Sequence, residues 1–184
     1  MNNLRGISIY IIGMMGAGKT TVGELLAKEL EYRFFDTDVL IERVKGKAIW
    51  EIFKTEGEPG FREIESQVLG SLSAYLQSVV ATGGGIVLRP KNWSYLHHGI
   101  VVWLDLPVEQ LYKRLQGDTT RPLLQEVDTL AKLRLLLSDR QPLYSQADLH
   151  ITMTGEETPE GVARRVLEEI PTIIKPEVKN REFN

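Results

Sequence analysis

The chain has 184 residues, 42% of them hydrophobic and 26% charged, with a formal net charge of −3 and no cysteine. That is enough for one well-packed domain and too little for two ordinary ones, and the mild acidity argues against wholesale binding of nucleic acid or an anionic membrane. Without cysteine there are no disulfides, thiolate nucleophiles or zinc–sulfur sites.

The first apolar run, Ile7 to Ile12, is nearly continuous and stops at Gly13, as a buried strand does. It lacks the flanks of a signal peptide, and no stretch approaches the ~20 apolar residues of a membrane span. A cytoplasmic address is expected, or a plastid stroma if a transit peptide has been removed. After the glycines, Val22, Leu25, Leu26 and Leu30 share one helical face. Arg33 to Phe35 reads as a second strand ending at Asp36. From Phe61 to Gln77 the residues Phe61, Ile64, Val68, Leu72 and Leu76 recur at helical spacing.

Ser78 to Thr82 is a third strand, stopped by Gly83-Gly84-Gly85. Ile100 to Leu104 is a fourth and Leu149 to Thr152 a fifth. Helical stretches fall between them, near Val108 to Leu115 and Leu130 to Ser145. A closing helix after Pro159 carries Val162, Val166 and Ile170, and the tail from Pro171 is expected to be poorly ordered. Strands alternating with helices imply right-handed crossovers and a parallel sheet covered on both faces. Ligands of such sheets sit beyond the C-terminal ends of the strands, so the informative residues should follow strands.

Gly13-Met14-Met15-Gly16-Ala17-Gly18-Lys19-Thr20 matches the phosphate-binding loop G-x-x-x-x-G-K-[ST]. Its glycines let successive N–H groups turn toward phosphate oxygens, and the following helix adds its positive end. Gly16, Ala17, Gly18 and Thr21 complete the cradle. Lys19 is placed to reach the β- and γ-phosphates, and the Thr20 hydroxyl to bind Mg²⁺. A strand before and a helix after make a chance match remote, so nucleotide binding is secure.

The acceptor is less plainly written. Asp36 and Asp38 stand two apart; in extended chain they face one way, one beside Mg²⁺ and the other on a substrate hydroxyl. Helix capping by Asp38 is an equal alternative. Arg62 and Glu65 stand three apart and can pair, leaving the guanidinium fork for a carboxylate or forming an ordinary surface salt bridge. Gly83, Gly84 and Gly85 exceed what a plain turn needs and suit close backbone approach by a ligand. Arg121, in a polar loop beside Pro122, could close as a lid over the transferring phosphoryl group; Arg114 could lie along adenine or phosphates. Arg140, in a helical stretch interrupted by Pro142, is a further anion-binding candidate. Phe53 could line an acceptor pocket, whereas Trp50, Trp93 and Trp103 read as packing residues. His97, His98 and His150 have no metal-ligand spacing.

The ordered set GMMGAGKTTVGELLA, FFDTD with IE, EIF, GEPGFREIE, VATGGG, RPLL and DRQPLY covers about residues 7 to 170. It resembles the shikimate kinase family, with no departure at the motif positions. The resemblance implies a P-loop, nucleoside monophosphate kinase-like α/β fold with a five-stranded parallel sheet in the order 2-3-1-4-5. One kinase domain over 1–170 would contain a substrate-binding segment near 37–65 and a lid near 116–128, with 171–184 as a tail. It also implies transfer of the ATP γ-phosphate to the 3-hydroxyl of shikimate, on the pathway to chorismate and the aromatic amino acids.

By the same likeness, Asp38 would hold ring hydroxyls and accept the proton, and Arg62 and Arg140 would bind the carboxylate. Gly84 would contact the ring, Glu65 would orient Arg62, and Asp36 would act through water on Mg²⁺. Lys19 and Arg121 would stabilise the transferring charge, and Pro159 falls in the adenine-contacting loop. The expected partners are shikimate and ATP/ADP, to a monomeric enzyme. A gluconate kinase of the same fold, a nucleoside monophosphate kinase, or a binding protein that lost turnover are the rivals.

Overall fold

A computed structural model of the chain describes residue 4 and residues 6–116 and 128–174. Strands Ile9–Ile12 (β1), Arg33–Asp36 (β2), Ser78–Ala81 (β3), Ile100–Asp105 (β4) and Leu149–Thr152 (β5) pair in parallel, in the order β2-β3-β1-β4-β5. This is the order that the resemblance implies. Every residue of β1 and β3 is buried, as expected of parallel strands covered on both faces. At the sheet's edge β5 alternates buried and exposed residues instead.

Seven helices join the described strands: Lys19–Leu30 (α1), Thr37–Lys45 (α2), Ile49–Leu72 (α3), Pro90–Leu96 (α4), Val108–Leu115 (α5), Thr129–Tyr144 (α6) and Pro159–Ile173 (α7). The expected stripe on α1 faces inward: Val22 and Leu26 are buried, and Leu25 and Leu30 pack against the core. α1 lies against α7 and β3, while α3 packs on α2 and α4. Val162, Val166 and Ile170 bury the inner face of α7. Among the described residues no helix is long and apolar enough to cross a membrane.

Several boundaries differ from the sequence reading. The helix expected from Phe61 to Gln77 begins at Ile49 and ends at Leu72, leaving Leu76 73% exposed. Leu76 continues the apolar period, but Gln77 takes a positive φ of 54° and its N–H donates to Gly6 O, which turns the chain into β3. Within α3 the Gly57-Glu58-Pro59 stretch forms a kink, with Gly57 at φ 69° and ψ 176°, a region essentially closed to residues with a Cβ.

Asp38 does not cap α2. That place belongs to Asp36, whose side chain accepts from the N–H groups of Asp38 and Val39. The two aspartates therefore do not share one face of extended chain, because Asp38 already lies in the first turn of the helix. α4 follows Arg89 with Pro90 at its first position; it is too short to show a period. At the C-terminus α7 runs through Pro171 to Ile173, so the tail begins later than expected; residues 175–184 lie outside the described residues.

Candidate active site

Three strand ends build the site. After β1, the loop from Gly13 passes so close to β4 that a Cβ on Gly13 would stand 2.4 Å from Leu104 O. Only glycine fits there, and the chain then enters α1 at Gly18. Lys19 Nζ donates to Gly13 O at 2.9 Å and to Met14 O at 2.8 Å, which holds the ammonium across the mouth of the loop. The Thr20 hydroxyl donates to Asp36 Oδ2 at 2.7 Å, and Asp36 Oδ1 accepts from Asp38 N at 2.9 Å. One carboxylate thus ties the start of α1 to the start of α2.

A groove of about 340 Å³ runs over these groups, with Lys19, Thr20, Asp36, Asp38 and Arg114 among its walls. Arg114 reaches it from α5, donating to Gly16 O at 3.2 Å. Beside the groove, Gly18, Thr21, Arg114 and Pro159 line a smaller cavity of about 120 Å³.

After β3, Gly83 N donates to Thr37 Oγ1 at 3.0 Å, and Gly84 O accepts from Tyr144 Oη at 2.5 Å. These bonds pin the glycine run between α2 and α6. It forms one wall of a second cavity, of about 370 Å³, whose charged lining is Asp38, Glu42, Arg62, Glu65 and Arg140. The opposite wall is apolar, from Val39, Ile49, Trp50, Phe53 and Phe61. Both cavities share Met15, Asp38, Gly83 and Gly84, so they meet at the end of β3.

Arg62 is fixed from both sides. Its Nη1 donates to both oxygens of Glu65, at 3.2 and 3.0 Å. Its Nε and Nη2 donate to Glu58 Oε1, at 3.3 and 2.9 Å. The guanidinium also stands 5.2 Å from the Phe61 ring centroid. Burial works against its charge, but Glu65 and Glu58 more than offset that and raise its pKa. Burial pushes the Glu65 carboxyl above its ordinary value, against the pull of Arg62. Arg140 is 3% exposed, and its Nη1 is buried with no hydrogen bond. A buried guanidinium left with bonds to make is a receptor for an anion.

The family model for shikimate kinase matches residues 15–171. The chain belongs to the shikimate kinase family. It is 56% identical to the shikimate kinase of Microcystis aeruginosa over 100% of this chain and 96% of the relative. With that of Nostoc sp. it is 59% identical, over 96% of this chain and 98% of the relative. A shikimate kinase from Acinetobacter baumannii, solved in complex with shikimate, superposes with a TM-score of 0.89 at 43% identity, covering 93% of this chain and 95% of that one. A gluconokinase from Sinorhizobium meliloti matches at a TM-score of 0.56 and 16% identity, which shows a common fold only. The chain is therefore a phosphotransferase with an alcohol acceptor, on the P-loop kinase fold of this family.

The structure brings together almost all of the residues that the sequence singled out. Gly16, Gly18, Lys19, Thr20, Thr21, Asp36 and Arg114 line the groove, and Ala17 and Pro159 the cavity beside it. Asp38, Phe53, Arg62, Glu65, Gly83, Gly84, Gly85 and Arg140 line the second cavity. Arg121 and nearly all of the expected lid, residues 117–127, lie outside the described residues.

The sequence reading misplaced Trp50, which is 48% exposed on the cavity rim; Trp93 and Trp103 are buried as expected. It passed over Glu58, Thr37 and Tyr144 as individuals. Glu58 carried a readable signal, since it stands four residues before Arg62 on a helix. Thr37 and Tyr144 did not, because their partners at Gly83 and Gly84 are distant in sequence.

Proposed function

We infer that the chain transfers the γ-phosphate of ATP to the 3-hydroxyl of shikimate, giving shikimate 3-phosphate and ADP. The observation that carries this is the second cavity: two buried arginines for a carboxylate and Asp38 for hydroxyls, opening onto a phosphate groove. ATP would lie along the loop, with its base toward Arg114 and Pro159 and its terminal phosphate toward Asp38. The acceptor's carboxylate would sit between Arg62 and Arg140, its ring against Gly84 and Phe53.

The 3-hydroxyl oxygen forms the new bond to phosphorus as the bond from phosphorus to the β,γ-bridging oxygen breaks. Asp38, at the junction of the cavities, takes the hydroxyl proton, and the electron pair of the broken bond leaves on ADP. Lys19 neutralises charge on the transferring group. By the family resemblance, Arg121 would add a second positive charge at the transferring group. Most of the acceleration comes from alignment in a site with fixed dipoles.

The oxygen donors at Thr20 and Asp36 fit a hard cation, since Mg²⁺ prefers hydroxyl, carboxylate and phosphate oxygens to nitrogen. Thr20 would hold it directly and Asp36 through water. When bound, Mg²⁺ supplies charge neutralisation on the β- and γ-phosphates. On this reading the enzyme acts as a cytoplasmic monomer.

The test is ADP release from Mg·ATP with shikimate, gluconate and AMP offered in turn. Turnover with shikimate alone is expected. Turnover with gluconate or AMP and none with shikimate would overturn the assignment.

A further inference from the structure

The two carboxylates that hold Arg62 differ in kind. The side chain of Glu65 is 0% exposed and grips Nη1 with both oxygens. That of Glu58 is 48% exposed and takes Nε and Nη2 through the single oxygen Oε1, at 3.3 and 2.9 Å. The Nε–Nη2 edge is a face of the guanidinium fork that binds a carboxylate with two parallel bonds. Glu58 already engages it with one carboxylate oxygen. It stands directly after the Gly57 kink, so its backbone is set by a break in α3 rather than by a continuous helix.

We propose that Glu58 is an internal stand-in for the acceptor's carboxylate: it occupies the outer edge of Arg62 in the empty site and yields it when shikimate enters. This rests on the reading that Arg62 binds that carboxylate. Glu65 is the fixed partner, because withdrawing it would leave a buried charge on each side. Glu58 is the exchangeable partner, because half of its side chain is in water, which can take up its carboxylate once it leaves Arg62. Exchange keeps both edges of the Arg62 guanidinium engaged between turnovers. It also lowers the apparent affinity for shikimate by the fraction of time that Glu58 holds the edge. The residue is therefore a positioning and specificity element, set against any acceptor too weakly anionic to displace it. A purely supporting Glu58 would act with the opposite sign, since its loss would loosen Arg62 and weaken binding.

The test measures KM for shikimate at saturating Mg·ATP with the full chain as wild type, E58Q, R62A and the double variant. Glu58→Gln should lower KM by about twofold to fivefold, the scale of a partly exposed ion pair. Arg62→Ala should raise KM, and Glu58→Gln should then change nothing. An unchanged or raised KM in E58Q, with R62A still impaired, would overturn the stand-in and leave the role of Arg62 intact. An equal gain from E58Q in the R62A background would also overturn it, by showing general relief of negative charge rather than displacement. If R62A binds shikimate as tightly as wild type, the carboxylate reading and the stand-in fall together.

Discussion

Gly85 lies flat against the guanidinium of Arg62: a Cβ at position 85 would stand 2.3 Å from Nη2 and 2.4 Å from Cζ and Nη1. The glycine run is thus shaped by the protein's own side chains as well as by a ligand. A Cβ on Gly83 would likewise meet Glu65 Oε1 at 2.8 Å and Asp38 Oδ1 at 3.0 Å. Gly85→Ala must displace a guanidinium that Glu58 and Glu65 hold. Because small misplacement of a binding group weakens catalysis steeply, kcat/KM for shikimate should fall by about tenfold to a hundredfold. Nucleotide affinity, measured by titration with ADP, should stay within about twofold, since neither Gly85 nor Arg62 is among the walls of the phosphate groove.

Arg140 trades stability for binding. It is 3% exposed and forms no ion pair with any described residue, so its charge weighs against the fold of the empty enzyme. Arg140→Met should leave the melting temperature without ligand unchanged or raised. It should weaken shikimate binding by about tenfold to a hundredfold, the worth of a charge-assisted hydrogen bond. Thermal melts with and without shikimate check both halves, and the ligand-induced rise should be smaller in the variant at equal shikimate concentration.

Tyr144 gives the fold an alkaline limit. Burial pushes its phenol up to about 12, so it remains a donor to Gly84 O well above the ordinary tyrosine range. The folded pKa is raised, so the folded state keeps a proton that the unfolded chain loses. The contribution is fully present below about pH 10 and is lost as pH rises through about 12. Two pH units correspond to about 2–3 kcal/mol. Urea melts at several pH values should show the stability advantage of wild type over Tyr144→Phe shrinking by that amount across this window.

Tyr10 makes the opposite case. Its side chain is 0% exposed in β1 and its hydroxyl is buried with no hydrogen bond. Tyr10→Phe removes an unsatisfied polar group and little volume, so unfolding free energy should rise by about 1 kcal/mol without change in kcat/KM.

What the sequence disclosed depended on how local the determinant is. The phosphate loop is eight consecutive residues, and the strand before it and the helix after it stand where the apolar pattern places them. Arg62 and Glu65 were visible as a pair because one helical turn brings them together. Their buried state was not, since it depends on Gly83 and Gly85 arriving from another strand. Whether Asp38 caps the helix or faces the cleft was undecidable from spacing; it turns on where β2 ends, which is set by pairing with β3 and makes Asp36 the cap. Trp50 looked like a core residue because its size suggests burial. It is instead spared for the cavity rim, where Ile52 fills the core in its place.

The most direct measurement compares phosphoryl transfer from Mg·ATP to shikimate and to its methyl ester, in wild type and in Arg62→Ala. The ester keeps all three hydroxyls and loses the charge that Arg62 and Arg140 are placed to receive, at the cost of one added methyl group. Wild type should prefer the free acid by at least about a hundredfold in kcat/KM, and Arg62→Ala should lose most of that preference. Equal turnover of acid and ester by wild type would contradict the account.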